Sequence, residues 1–214
     1  MSGKFLALTL TGLVLLSGTL ASTTADAASV IRKYRYFPVY GTTAEQLDKS
    51  LAKNGPKLNN GGESHPGATK IAFDARVKYR SDGKYCRVSD VRANVTATIS
   101  LPSWQSRRRA SADTRMVWDV LVKDIRRHEE SHIIIARSHA SELERQIRSM
   151  RNERDCVKLR ANVDKITDRI FAKHDKAQQY FDRVETINFE TRFERLLTQN
   201  LEKRWQQQQK KKKS

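Results

Sequence analysis

From Ala112 to Met150 the chain contains neither proline nor glycine, so nothing in the backbone chemistry interrupts a helix there. Trp118, Leu121, Ile125, His128, His132, Ile135 and His139 step along this segment by threes and fours, with Leu143 and Ile147 beyond. That is the spacing of a helix buried along one edge. A second segment repeats it with Val163, Ile166, Ile170, His174, Ala177, Phe181 and Val184. The pattern resets near Asn152, so the two segments are expected to fold back on each other as an antiparallel helical hairpin. A further helix is expected from about Phe189 to Trp205.

The region before Ala112 has a different period. Val30 to Tyr40 reads as extended chain, and Thr43 with Gln46 is spaced as a capping box opening a short helix that stops at Asn54-Gly55-Pro56. Ile71, Phe73, Ala75, Val77 and Tyr79 then alternate with mostly polar residues, as in a strand with one buried face. Asp82-Gly83 is a hairpin turn. The return strand carries Cys86 and Val88 on one parity and Val91 to Leu101 on the other, which places a bulge at Ser89-Asp90. The expected fold class is α+β: a small antiparallel sheet packed near a long helical hairpin, with a C-terminal helix.

Both ends stand apart from this pattern. Lys4, the apolar run Phe5 to Leu20 and the small-x-small step Ala25-Asp26-Ala27 read as a secretory signal peptide over residues 1–27. A single domain is expected over 28–205, with its sheet part at 28–104 and its helical part at 112–205. Residues 206–214, nearly all Gln and Lys, are expected to be a disordered basic tail. No segment after the leader is apolar enough to span a bilayer. The chain carries a formal net charge of +17, and removing the leader takes away one basic and one acidic group. A surface of that sign attracts anionic polymers of a cell envelope, and nothing in the sequence specifies nucleic acid. In an exported chain, two widely separated cysteines, Cys86 and Cys156, are expected to form a disulfide between the sheet and the later helix.

His128-Glu129-Glu130-Ser131-His132 reads H-E-x-x-H on the first long helix. Residues four apart share a helix face, so both imidazoles can reach one Zn²⁺, with Glu129 beside it as general base. Three of the seam positions that periodicity would give to Leu or Ile are His128, His132 and His139. A tight fold-back at Asn152 sets His128 and His132 opposite residues 172–176, which makes His174 the first candidate for a third ligand. His139 lies roughly 10 Å along the axis from His132 on a straight helix. Asp182 and Glu185 are further candidates if the second helix is shifted. Glu130 and the pair Arg126-Arg127 are unusual neighbours for such a motif in a protease.

Asn54-Gly55-Pro56, Cys86, Leu101-Pro102-Ser103-Trp104, the HEESH helix and Asp155-Cys156 together resemble a bacterial family of unknown function. Its members are commonly described as predicted secreted zinc-dependent proteases. The resemblance covers most of the chain after the leader and implies zinc on His128 and His132, with Glu129 catalytic. Many relatives carry Tyr-Asp and then Thr-x-His-Gly after the second cysteine. Here the region reads Tyr180-Phe181-Asp182 and Thr186-Ile187-Asn188, without that histidine. The expected function is therefore zinc-dependent hydrolysis of a peptide or protein substrate in the periplasm or outside the cell. The alternatives are a non-catalytic basic protein that binds anionic envelope polymers, and a structural metal site or histidine-rich core.

Overall fold

The structure is a computed structural model that describes residues 28–57 and 64–213; the expected leader lies outside the described residues. In chain order the elements are β1 (Val30–Val39), α1 (Ala44–Asn54), β2 (Ala68–Ser81), β3 (Cys86–Trp104), α2 (Ala112–Arg148) and α3 (Cys156–Lys213). The α+β class holds, with one correction to the sheet. Its order is β1-β3-β2; β2 pairs antiparallel with β3, but β1 pairs parallel with it. Alternation reveals which face of a strand is buried and says nothing of its neighbour's direction. The connection through α1 is long enough to carry the chain past the sheet end, so β1 need not pair with β2.

Local signals explain the sheet part closely. Thr43 Oγ1 accepts the Gln46 amide at 3.3 Å, while Gln46 Oε1 reaches back to the Thr42 amide at 2.8 Å. In the hairpin, Asp82 Oδ1 accepts the amides of Lys84 and Tyr85, and Gly83 takes φ 86°, where a side chain would be strained. Lys78 pairs with Asp90 and Tyr79 with Val88, so Ser89 is the extra residue of a bulge. Beyond it, Val91, Ala93, Val95, Ala97, Ile99 and Leu101 all point inward and are fully buried. The small residues Ala93, clustered with Ala136 and Ala140 of α2, and Ala97, clustered with Ile125 and Ile133, let helix and sheet approach closely.

Two faces of α2 are used. Ile125, Glu129, Ile133, Ala136, Ala140, Leu143 and Ile147 face the sheet and are buried, while the histidine seam faces α3. No helix breaks near residue 188. Thr186 and Asn188 bond back to the carbonyls of Asp182 and Val184 and stay within the turn pattern, so the separate C-terminal helix expected from sequence is part of α3. The helix also continues through the expected tail to Lys213, because Gln and Lys are good helix formers and lysines suit a helix C-terminus. Among the described residues, no helix is long and apolar enough to cross a membrane.

Cys86 and Cys156 form the expected disulfide, with Cα atoms 5.1 Å apart. Cys86 also exchanges backbone hydrogen bonds with Glu153 at 2.7 and 2.9 Å. The start of β3 is thereby stitched to the start of α3. Replacing both cysteines with serine is expected to lower unfolding stability by about 2–4 kcal/mol, read as a lower urea midpoint. An unchanged midpoint would mean that packing alone holds the start of α3.

Candidate metal centre

Pinning the 149–155 connection to the sheet displaces α3 along α2. His128 and His132 therefore face Gln178, Asp182 and Glu185 rather than 172–176, a shift of about two helical turns. A set of charged contacts fixes this register. Asp124, buried on α2, receives both Arg192 of α3 and Arg127 of its own helix, and Glu185 of α3 receives the same two arginines. Burial alone would raise the Asp124 pKa, but the hydrogen bonds from Arg192 and Arg127 outweigh it and hold the carboxyl below its ordinary value. Glu185 is likewise held down by Arg127 against the effect of burial. Arg126 and Glu130, the odd residues of the motif, turn to β1: Arg126 lies over the Tyr34 ring, and the Tyr34 hydroxyl donates to Glu130 at 3.1 Å.

This register brings three donor atoms together. His128 Nε2 stands 3.2 Å from His132 Nε2, and Asp182 Oδ1 lies 3.4 Å and 3.2 Å from them. Donors held 2.0–2.1 Å from a tetrahedral zinc ion stand about 3.3–3.4 Å apart. The triangle therefore has the edge length of such a site.

Hydrogen-bond logic assigns the tautomers. Gln178 Nε2 donates to the His132 carbonyl at 3.1 Å, which turns Gln178 Oε1 toward His132 Nδ1 at 2.6 Å. That oxygen can only accept, so His132 carries its proton on Nδ1. On the other ring, His128 Nδ1 faces the Glu185 carboxylate at 3.5 Å, again an acceptor. Both Nε2 atoms therefore present lone pairs to each other, an arrangement that a cation between them stabilises. Phe181 stacks on His128 and meets His132 edge-on, holding both rings.

His174 does not join the triangle. Its Nε2 accepts from the Gln178 amide at 2.8 Å and its Nδ1 donates to Asp175 at 3.0 Å. Both nitrogens are thus already partnered, Nε2 by Gln178 and Nδ1 by Asp175. A tight fold-back would make His174 a ligand; the disulfide-pinned connection leaves it about two turns too far toward the hairpin end. Of the other rivals, His139 bonds the Ile135 carbonyl at 2.8 Å, and Glu185 faces His128 from outside the triangle. Asp182 fills the third position.

Glu129 occupies the sheet-facing stripe and is only 5% exposed. Thr69 Oγ1 of β2 lies 2.7 Å from its Oε2 and 3.1 Å from its backbone oxygen. Gly67 leaves the room: a Cβ there would come within 2.8 Å of Glu129 Oε1 and 2.7 Å of Ile125 Cγ2. Burial raises the Glu129 pKa, opposed by the Thr69 hydrogen bond and by His132. A cleft of about 680 Å³ opens beside it, lined by His65, Pro66, Ile125, His128, Glu129 and Phe189 among others. Thr69 and Gln178 carried no signal in the sequence; each is one polar residue on an otherwise ordinary strand or helix.

Together these elements define a class: an α+β protein whose H-E-x-x-H helix and following helix assemble a His-His-Asp donor triangle next to a buried glutamate. A family model described as "Bacterial protein of unknown function (DUF922)" matches residues 34–190, and the chain belongs to that family. The matched span contains the donor triangle, Glu129 and Gln178. Neither a curated protein nor a solved structure matches the chain.

Two expected outcomes follow from the geometry. A carboxyl whose pKa is raised by folding favours the fold while protonated, and that contribution is lost as pH rises through its folded pKa. The metal-free Glu129→Gln variant is therefore expected to melt above the metal-free wild type at pH 7, with the gap closing below the ordinary carboxylate range. A constant gap at all pH values would contradict this. Separately, if the triangle holds zinc, Gln178→Leu is expected to weaken its binding by about 10–100-fold without unfolding the helices, as loss of an outer partner to a ligating histidine does. Competition with a chromophoric chelator measures it.

Proposed function

We propose that this protein is a zinc-dependent hydrolase of peptide bonds working outside the cytoplasm, with His128, His132 and Asp182 holding the ion and Glu129 moving the proton. The observation that carries the reading is the near-equilateral donor triangle, sized for a tetrahedral ion and set beside a buried carboxylate that borders an open cleft. Three protein donors leave a tetrahedral site one position short, the arrangement of catalytic rather than structural zinc. Bound zinc supplies Lewis acidity, acidifying water and polarising a carbonyl oxygen.

The chain's own groups do the rest. Glu129 takes a proton in the cleft and returns it to the leaving amine. Its raised pKa brings the carboxyl nearer the working pH, so both transfers are accessible. Thr69 suits both states of that cycle. Its hydroxyl donates to the ionised carboxylate, then accepts from the protonated carboxyl while donating to the Glu129 backbone oxygen. Gln178 and Glu185 keep the two imidazoles unprotonated on Nε2, and Arg127 and Arg192 neutralise Glu185 so that it does not compete with Asp182. The Cys86–Cys156 bond supports an oxidising compartment.

The test is metal analysis and peptide hydrolysis on the chain lacking residues 1–27. Wild type is expected to hold one zinc per chain, and His132→Ala to hold none. Glu129→Gln is expected to keep the metal while hydrolysis falls by about a hundredfold or more. The same donor set also suits iron(II); stoichiometric iron, or full activity in Glu129→Gln, would overturn the reading.

A further inference from the structure

The face of the sheet turned away from the helices is uncovered among the described residues, and its composition is uneven. Lys33 and Arg35 of β1, Arg92 of β3, and Lys70, Arg76 and Lys78 of β2 point outward and are exposed. Only two acids share the face. Asp74 pairs with Arg76 at 3.2 Å and Asp90 with Lys78 at 3.6 Å, whereas Lys33, Arg35, Lys70 and Arg92 make no ion pair among the described residues.

Along this face β3 presents Asn94, Thr96, Thr98 and Ser100 in a single row, with Asp74 beside Asn94, Ile31 and Ala72 beside Thr96, and Arg35 and Ala68 beside Ser100. The hydroxyls of Thr96, Thr98 and Ser100 form no hydrogen bond with the described protein, and their residues are half-buried by the side chains on either side. Lys33 and Lys70 flank Thr98 in one cross-strand row, since each is paired with it. Their Cα atoms are two strand spacings apart, about 9–10 Å, and successive rows along β3 step by about 6.6–6.8 Å. The result is a lane of hydrogen-bonding groups with cations on both sides at Thr98 and on the β1 side at Ser100.

We propose that this face binds a linear acidic polysaccharide lying along β3, with the polymer's carboxylates or phosphates on Lys33, Arg35 and Lys70 and its sugar hydroxyls on Thr96, Thr98 and Ser100. Charge complementarity selects an anionic partner. The unused hydroxyl lane selects one rich in hydroxyl groups. Single-stranded nucleic acid fits less well, because its binding surfaces stack bases on aromatic rings, and the rows from Arg92 to Ser100 carry none. The metal centre lies on the opposite side of the sheet, so a bound polymer leaves the cleft free. This inference stands independently of the hydrolase reading.

Binding of polygalacturonate to the chain lacking residues 1–27 tests it, read by affinity electrophoresis at low and moderate salt with neutral dextran as control. The combined Lys33→Glu, Arg35→Glu, Lys70→Glu variant is expected to lose at least about tenfold in affinity. Lys165→Glu, Lys176→Glu, Lys210→Glu on α3 changes net charge equally and is expected to stay within about twofold. The milder pair Thr96→Val, Thr98→Val keeps the strand and is expected to lose about fivefold or more as two hydrogen bonds go. Equal losses in the two charge-reversal variants would show a response to overall charge alone and overturn the proposal. So would unchanged binding in the threonine pair, or a single-stranded oligonucleotide displacing the polysaccharide at equal charge concentration.

Discussion

The four-membered charge clamp between α2 and α3 determines where everything else in the site stands. Asp124 and Glu185 each receive Arg127 and Arg192, so neither helix can slide without stranding a buried charge. Removing Arg192 from the buried Asp124 costs up to about 3–5 kcal/mol, because the remaining charge stays desolvated, and removing Arg127, whose side chain is 40% exposed, costs less. Two antiparallel helices of this length have many near-equivalent registers for apolar packing. The clamp picks one, and in that one Asp182 meets His128 and His132. The disulfide at the far end acts in the same direction, covalently fixing where α3 begins.

Against this rigid frame, Glu129 works against stability. It occupies a position on α2 that lies between Ile125 and Ile133 in the sheet-facing stripe, where an aliphatic side chain would pack without cost. Keeping a carboxyl there requires a glycine at residue 67 to vacate the space and a hydroxyl at residue 69 to satisfy it. The short stretch from Gly67 to Thr69 thus accommodates one unfavourable group on α2. An arrangement of this kind, locally inconsistent with the pattern around it, is where chemistry is to be sought.

Much of the frame was legible in the sequence, for physical reasons that can be named. The capping box at Thr43, the turn at Asp82-Gly83 and the bulge at Ser89 are written in local chemistry or in parity, which act over a few residues. The two imidazoles on one face of α2 follow from helix geometry alone. Orientation of β1 and the register of α3 were not legible, because they depend on contacts between residues 50 or more apart in the chain, such as Arg192 with Asp124. His174 shows the consequence. Its seam position was read correctly, and it does lie buried on the α2-facing side, but the offset of α3 converts it from a ligand into a support for Gln178. Thr69 was hidden for a different reason: one threonine in a strand has no distinguishing surroundings until the helix above it is placed.

The alternation within β2 has an effect that reaches both sides of the molecule. Thr69 turns its hydroxyl under the helix while its neighbour Lys70 turns its ammonium to solvent. A slip of one residue between β2 and β3 would exchange them, placing a cation against Glu129 and a short hydroxyl among the outward charges. A single ladder of backbone bonds thereby sets the polarity of two surfaces at once, and neither can drift in evolution by insertion or deletion within that strand without the other being inverted.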